Sequence, residues 1–237
     1  MMKKPLYGIG QLPQYLVYAG LAIAALGLAT TAYFADNLVY RRLIGTMNPF
    51  KIMIPIIIMG FILSSVLLSR NWFAIYGKGT LKGVLLSAGL ASILGIIGIL
   101  LDHVIVYPRT MNVPFPESLA YYPSIAFSAE IVFHLLPLTL FSILLSSVFQ
   151  KVDSRKIIWI AIFIASLSDP ILQIFDAAAN NYPLWAVLVT GLHVFVINIL
   201  QLVIFKRYDF VSMLSFRLVY YIIWHIVWGN IRLRVLF

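Results

Sequence analysis

The chain has 237 residues, 62% hydrophobic and 11% charged, with a mean hydropathy of +0.98 and a formal net charge of +9. Soluble domains carry about 25% charged residues, so this composition excludes one. The lack of cysteine excludes disulfides, thiolate catalysis and Cys-ligated metal, and the positive charge sits at the ends of apolar runs, where it meets anionic head groups rather than nucleic acid.

Apolar runs of about 20 residues, the length that crosses ~30 Å of hydrocarbon, recur along the whole chain. The first, at about 14–35, follows two lysines, is too long for a signal h-region and lacks a clear small-residue cleavage site; it is expected to be a retained span. Six more are expected at about 50–69, 80–106, 126–150, 156–176, 183–205 and 209–231. Strand alternation is absent, which leaves helices as the spanning form. The segment 107–125, with its four prolines and three tyrosines, reads as an interfacial loop. With no repeat and no low-complexity tract, residues 1–237 form a single integral membrane domain, its core helices at about 126–231.

Sidedness follows from the cations. Lys3, Lys4, Arg70, Lys78, Lys82, Lys151, Arg155, Lys156, Lys206 and Arg207 share a side with the N-terminus, and outnumber Arg41, Arg42, Lys51, Arg109, Arg232 and Arg234 opposite. This bias predicts a cytoplasmic N-terminus.

Ionisable groups inside hydrocarbon each cost about 2.5–3.5 kcal/mol on insertion scales, and here they share one level. Counted from the outer end at about 1.5 Å per residue, Glu130 lies ~6 Å and His134 ~12 Å deep in the fourth span, on one face by their i,i+4 spacing. Asp169 lies ~10 Å deep in the fifth, with Gln173 and Asp176 continuing its stripe. In the seventh, His225 at ~9 Å flanks an arc of Arg217, Tyr221, Trp224 and Trp228. An all-α polytopic bundle of about seven transmembrane helices follows, with the last four enclosing a polar cavity and the first three packed around it. Arg217 is expected within ion-pair reach of Glu130 or Asp169. Structural roles compete with functional ones. Arg217 may serve only as counter-ion or snorkel, the tryptophans may be interfacial anchors, and His193, with Asn198 and Gln201, reads as interhelical hydrogen-bonding glue. Asp102 and His103 read as solvated residues at the edge of the third span.

The stretches SAEIVFHLL at 128–136, FIASLSDP at 163–170 and VFVINILQLVIFKRYDFVSMLSFRLVYYIIWHIVWG at 194–229 resemble the CPBP membrane proteins, which include CAAX prenyl endopeptidases and bacteriocin-processing or self-immunity proteins. The resemblance covers about the C-terminal half. That family carries Glu-Glu-x-x-x-Arg on one helix, Phe-x-x-x-His on the next and a late His-x-x-x-Asn, around a water that attacks a peptide bond within the membrane. Here Ala129 and Glu130 stand at the two glutamates and His134 at the arginine. Phe163 is followed by Leu167 at the histidine position with Asp169 just beyond, and His225 by Gly229 and then Asn230.

The resemblance implies an intramembrane endopeptidase, a hydrolase that cleaves membrane-associated or lipidated proteins. Such chemistry needs a base for water, donors for an oxyanion and a path for water. Glu130, His225 and Asp169 are the candidate catalytic residues; His134, Arg217, Tyr221 and Trp224 are candidates for substrate, oxyanion or supporting roles. The alternative is a catalytically degenerate relative that binds a lipid or peptide, or acts as an immunity or scaffold subunit. A transporter would show paired Gly/Pro-broken half-helices, and no such pair is visible. No His-Glu-x-x-His, Gly-x-Ser-x-Gly or phosphate loop occurs, and no cofactor is expected, although Glu130, His134, Asp169 and His225 are of types zinc accepts. The expected partners are membrane lipids and a membrane-associated peptide or protein substrate, not nucleic acid.

Overall fold

A computed structural model describes residues 10–35, 48–108, 111–179 and 182–237. Lys3, Lys4, Arg41, Arg42 and Arg109 of the charge pattern lie outside the described residues, as does the side chain of Asp176. Among the described residues every regular element is a helix: α1 (Gln11–Ala35), α2 (Pro49–Ser69), α3 (Thr80–Ile105), α4 (Ser118–Val148), α5 (Ser154–Ala165), α6 (Ser168–Ala179), α7 (Leu184–Arg207) and α8 (Phe210–Val235). Seven stretches are long and apolar enough to cross a membrane, the fifth made of α5 and α6 together. The protein is thus a multi-pass helical membrane protein.

Helix starts follow from capping chemistry. Asn48 accepts from the Phe50 amide at 2.9 Å with Pro49 at the first helical position, and Asp153 accepts from the Arg155 amide at 3.0 Å. Asp209, fully buried, caps α8 through the Ser212 amide at 2.9 Å and also accepts from the Thr80 hydroxyl, tying the start of α8 to the start of α3. Two backbone bonds, Phe210 N–H to the Ala74 carbonyl and Val211 N–H to the Ile75 carbonyl, seat the same end.

The helices that carry the polar layer are irregular just where it lies. In α4, Glu130–Leu135 is a π-helical segment, and the Leu136 amide donates to the Ile131 carbonyl five residues back. Pro137 explains it: without an N–H it cannot bond the Phe133 carbonyl, and its ring pushes the preceding turn open. In α8, Ile222–Trp228 is a second π segment, ending at Gly229. Between α5 and α6 the chain breaks at Ser166–Leu167, where the last amides tighten onto Ile162 and Ile164. The break then restarts with Asp169 and Pro170 in the first turn of α6, where a missing N–H leaves no bond unmade.

One expectation fails here. The segment 107–125 is not loop throughout, because α4 begins at Ser118 and carries Pro123 inside it. Tyr121, Tyr122 and Ser124 are buried, so packing outweighs the bond that Pro123 removes. The core follows the expected division in part: 44% of the fifth, sixth and seventh spans is buried within the protein, against 28% of the first and third. The third span nevertheless takes part in the site, as shown next.

Candidate functional site

Four side chains from three helices form a closed cluster. Glu130, fully buried, accepts from His134 Nδ1 at 2.5 Å, from Gln201 Nε2 at 2.5 Å and from Arg217 Nε at 2.6 Å. Arg217 gives its remaining donors to the Tyr221 hydroxyl and the Gln201 amide oxygen, each at 3.3 Å. The expected Arg217–Glu130 pair is therefore present. Its energetic logic is that a carboxylate and a guanidinium taken from water need both Coulomb attraction and a full set of hydrogen bonds.

Beside this cluster lies a cavity of about 560 Å³, within the size range of sites that take small molecules or head groups. Arg217, Tyr221, Trp224 and His225 of α8 form one wall, and Asp169 and Gln173 of α6 another. The first half of α7 contributes Val187, Thr190 and Val194, and the end of the third span contributes Ile105 and Tyr107. Exposed Pro108 and Met111 place one side of the cavity at that end of the bundle, away from the end where α8 starts. His225 stacks on Tyr122 with ring centroids 4.5 Å apart, and its Nδ1 lies 3.1 Å from Asn112 Oδ1. Asp169 accepts from Gln173 Nε2 at 2.9 Å. The Tyr107 hydroxyl meets Thr190 Oγ1 at 2.7 Å, and burial pushes its phenol above the ordinary range, keeping it neutral.

The seven candidate residues thus divide. Asp169, Arg217, Tyr221, Trp224 and His225 line the cavity; Glu130 and His134 do not, and sit behind Arg217. Gln201, read as interhelical glue, turns out to bridge the buried pair. Tyr107, Thr190 and Tyr220 went unnoticed among ordinary aromatic and small polar residues; the i+3 spacing of Tyr220 from Arg217 was the available signal. His193 Nε2 lies 3.3 Å from the Tyr220 hydroxyl, a contact between α7 and α8 of the kind expected for glue.

Two readings are corrected. Asp102 is not a solvated edge residue: it is fully buried, and Arg232 Nε and Nη2 reach its two oxygens at 2.6 and 2.8 Å. Trp228 Nε1 donates to the same carboxylate at 2.7 Å, so Trp228 leaves the arc of cavity residues and belongs to this second cluster. Arg232 also donates to the Tyr107 and Pro108 carbonyls at 2.7 and 3.0 Å, and is thereby withdrawn from the cations counted at the membrane surface. Trp224 and Trp228 are 4% and 7% exposed, which is burial inside the bundle rather than anchoring in an interface.

Among the described residues no group of three or more His, Asp or Glu side chains is arranged to hold a metal ion. No protein-family model matches the chain. No curated protein matches it, and no solved structure does.

Proposed function

We propose that this protein is a membrane-embedded binding protein whose cavity takes an amphiphile, a lipid or a lipidated peptide, on the scaffold that the CPBP-like motifs suggest. The observation that carries this reading is the state of Glu130. Both of its oxygens are engaged by three donors, and it stands outside the cavity wall, behind Arg217. A general base for hydrolysis must face the water it activates. The cavity itself combines apolar and aromatic walls with a few polar groups, the usual make-up of a binding site.

The test is saturable binding of six-carbon alkyl probes to the full-length protein in nanodiscs, by calorimetry against empty nanodiscs. Wild-type protein should bind 1-hexanol, and Thr190→Trp, which fills the cavity, should not. Binding that is absent, or indifferent to the filling substitution, overturns the reading.

The endopeptidase remains as a second reading because Asp169 and His225 line one cavity beside Arg217. Its test is cleavage of a membrane peptide library in liposomes, with and without chelator. The endopeptidase reading expects cleavage lost in Glu130→Gln and in His225→Ala; the binding reading expects none from wild type. A cytoplasmic N-terminus is proposed with it, since withdrawing Arg232 from the opposite side strengthens the remaining charge bias.

A further inference from the structure

The charged residues that line the cavity are Asp169 and Arg217. Arg217 brings its own counter-ion, with its Nε on Glu130 and its two terminal nitrogens on Tyr221 and Gln201, so its donors are already assigned. Asp169 does not. Among the described residues no cation lies within ion-pair distance of it, and its hydrogen-bond donor is the neutral amide of Gln173. A carboxylate only 8% exposed, in a wall of a largely apolar cavity, leaves that cavity one negative charge short of balance.

The other walls are aromatic, and they are set as walls rather than as a stack. Tyr107 meets Trp224 at 74° with centroids 5.9 Å apart, and Tyr220 meets Tyr221 at 52° and 6.4 Å. One face of Tyr221 is already covered by the Arg217 guanidinium, 5.8 Å from its centroid. Tyr107, Tyr220 and Trp224 carry no such cation among the described residues. Aromatic faces at steep angles beside an uncompensated carboxylate are the chemistry that recognises an ammonium group.

We infer that the cavity recognises organic cations, taking the ammonium head group of an alkylamine or quaternary amine between Tyr107, Tyr220 and Trp224 with Asp169 as its counter-ion. This rests on the binding reading above and names its ligand class. An anionic head group is disfavoured on the same grounds: it would find the Arg217 donors taken and Asp169 repelling it.

The experiment uses full-length protein in nanodiscs and four probes of equal chain length: hexyltrimethylammonium, hexylamine, 1-hexanol and hexanesulfonate. Wild type should bind the two cations about tenfold or more tightly than hexanol, and hexanesulfonate more weakly still. Asp169→Asn should remove the preference for the cations while leaving hexanol binding in place, which also certifies that the variant is folded. If hexanesulfonate binds as well as the cations in wild type, or if Asp169→Asn keeps their preference, the inference is overturned while the binding reading stands. If no probe binds, hexanol included, it is the binding reading that fails, and the inference with it. The wild-type charge series decides the matter even if the variant does not fold.

Discussion

Two buried arginine–carboxylate pairs hold this molecule, and they are built differently. Arg217–Glu130 is completed by side chains alone, from Gln201, His134 and Tyr221, and one side of its guanidinium forms cavity wall. Arg232–Asp102 is completed largely by backbone: the Tyr107 and Pro108 carbonyls and the Tyr107 amide, with Trp228 as the one added side chain. Side-chain partners can rearrange around a ligand, whereas carbonyls at the end of a helix cannot without moving the chain. The first pair therefore suits a site, and the second fastens the end of α8 to the end of α3 and fixes the cavity rim that Tyr107 and Pro108 contribute.

The largest effect should come from breaking the backbone-anchored pair. Arg232→Leu leaves Asp102 buried and unpaired, at a cost of about 3–5 kcal/mol, and should lose most folded protein in fluorescence-detected size-exclusion chromatography. Arg217→Leu should cost about 3 kcal/mol, toward the low end of that range because the cavity admits water to the site, with a measurable fall in thermal midpoint. Adding Glu130→Gln to Arg217→Leu should recover part of the loss, and simple additivity would argue against the pair. If Arg217→Leu proves as damaging as Arg232→Leu, the contrast between the two pairs collapses. Trp228→Phe keeps the ring but removes the donor to Asp102, and should lower stability by about 1–3 kcal/mol without changing probe binding. The smallest effect is expected from His193→Ala, about 0.6 kcal/mol for one interhelical hydrogen bond, read as a slight shift in thermal midpoint.

Depth along a span could be read from the sequence, and direction around it could not. Counting residues placed Glu130, Asp169, Arg217 and His225 at one level, and a guanidinium in hydrocarbon demanded a carboxylate, so the Arg217–Glu130 pair followed from Arg217 alone. Whether Glu130 faced the cavity or stood behind Arg217 depends on how the helices are rotated, which no spacing rule supplies for a segment that leaves the α-helical period. Asp102 and Arg232 escaped notice for a related reason. Each sits at the end of a span, where solvent is the default partner, and they lie 130 residues apart. The seven spans were legible because length and hydropathy suffice for them; the start of α4 was hidden by prolines that its buried tyrosines override.

The π segment at Ile222–Trp228 has a consequence for how this chain can change in length. A turn closed five residues back instead of four holds one residue more than an α-helical turn, so it works as an insertion absorbed in place, leaving the helix on either side in phase. Deleting a single residue between 222 and 228 would let the stretch relax to an ordinary helix and rotate everything after it by about 100°. Arg232 would swing away from Asp102, and the chain terminus would lose its hold on the third span, although every residue of both partners remained. Length, as much as residue identity, is therefore under constraint in this one turn.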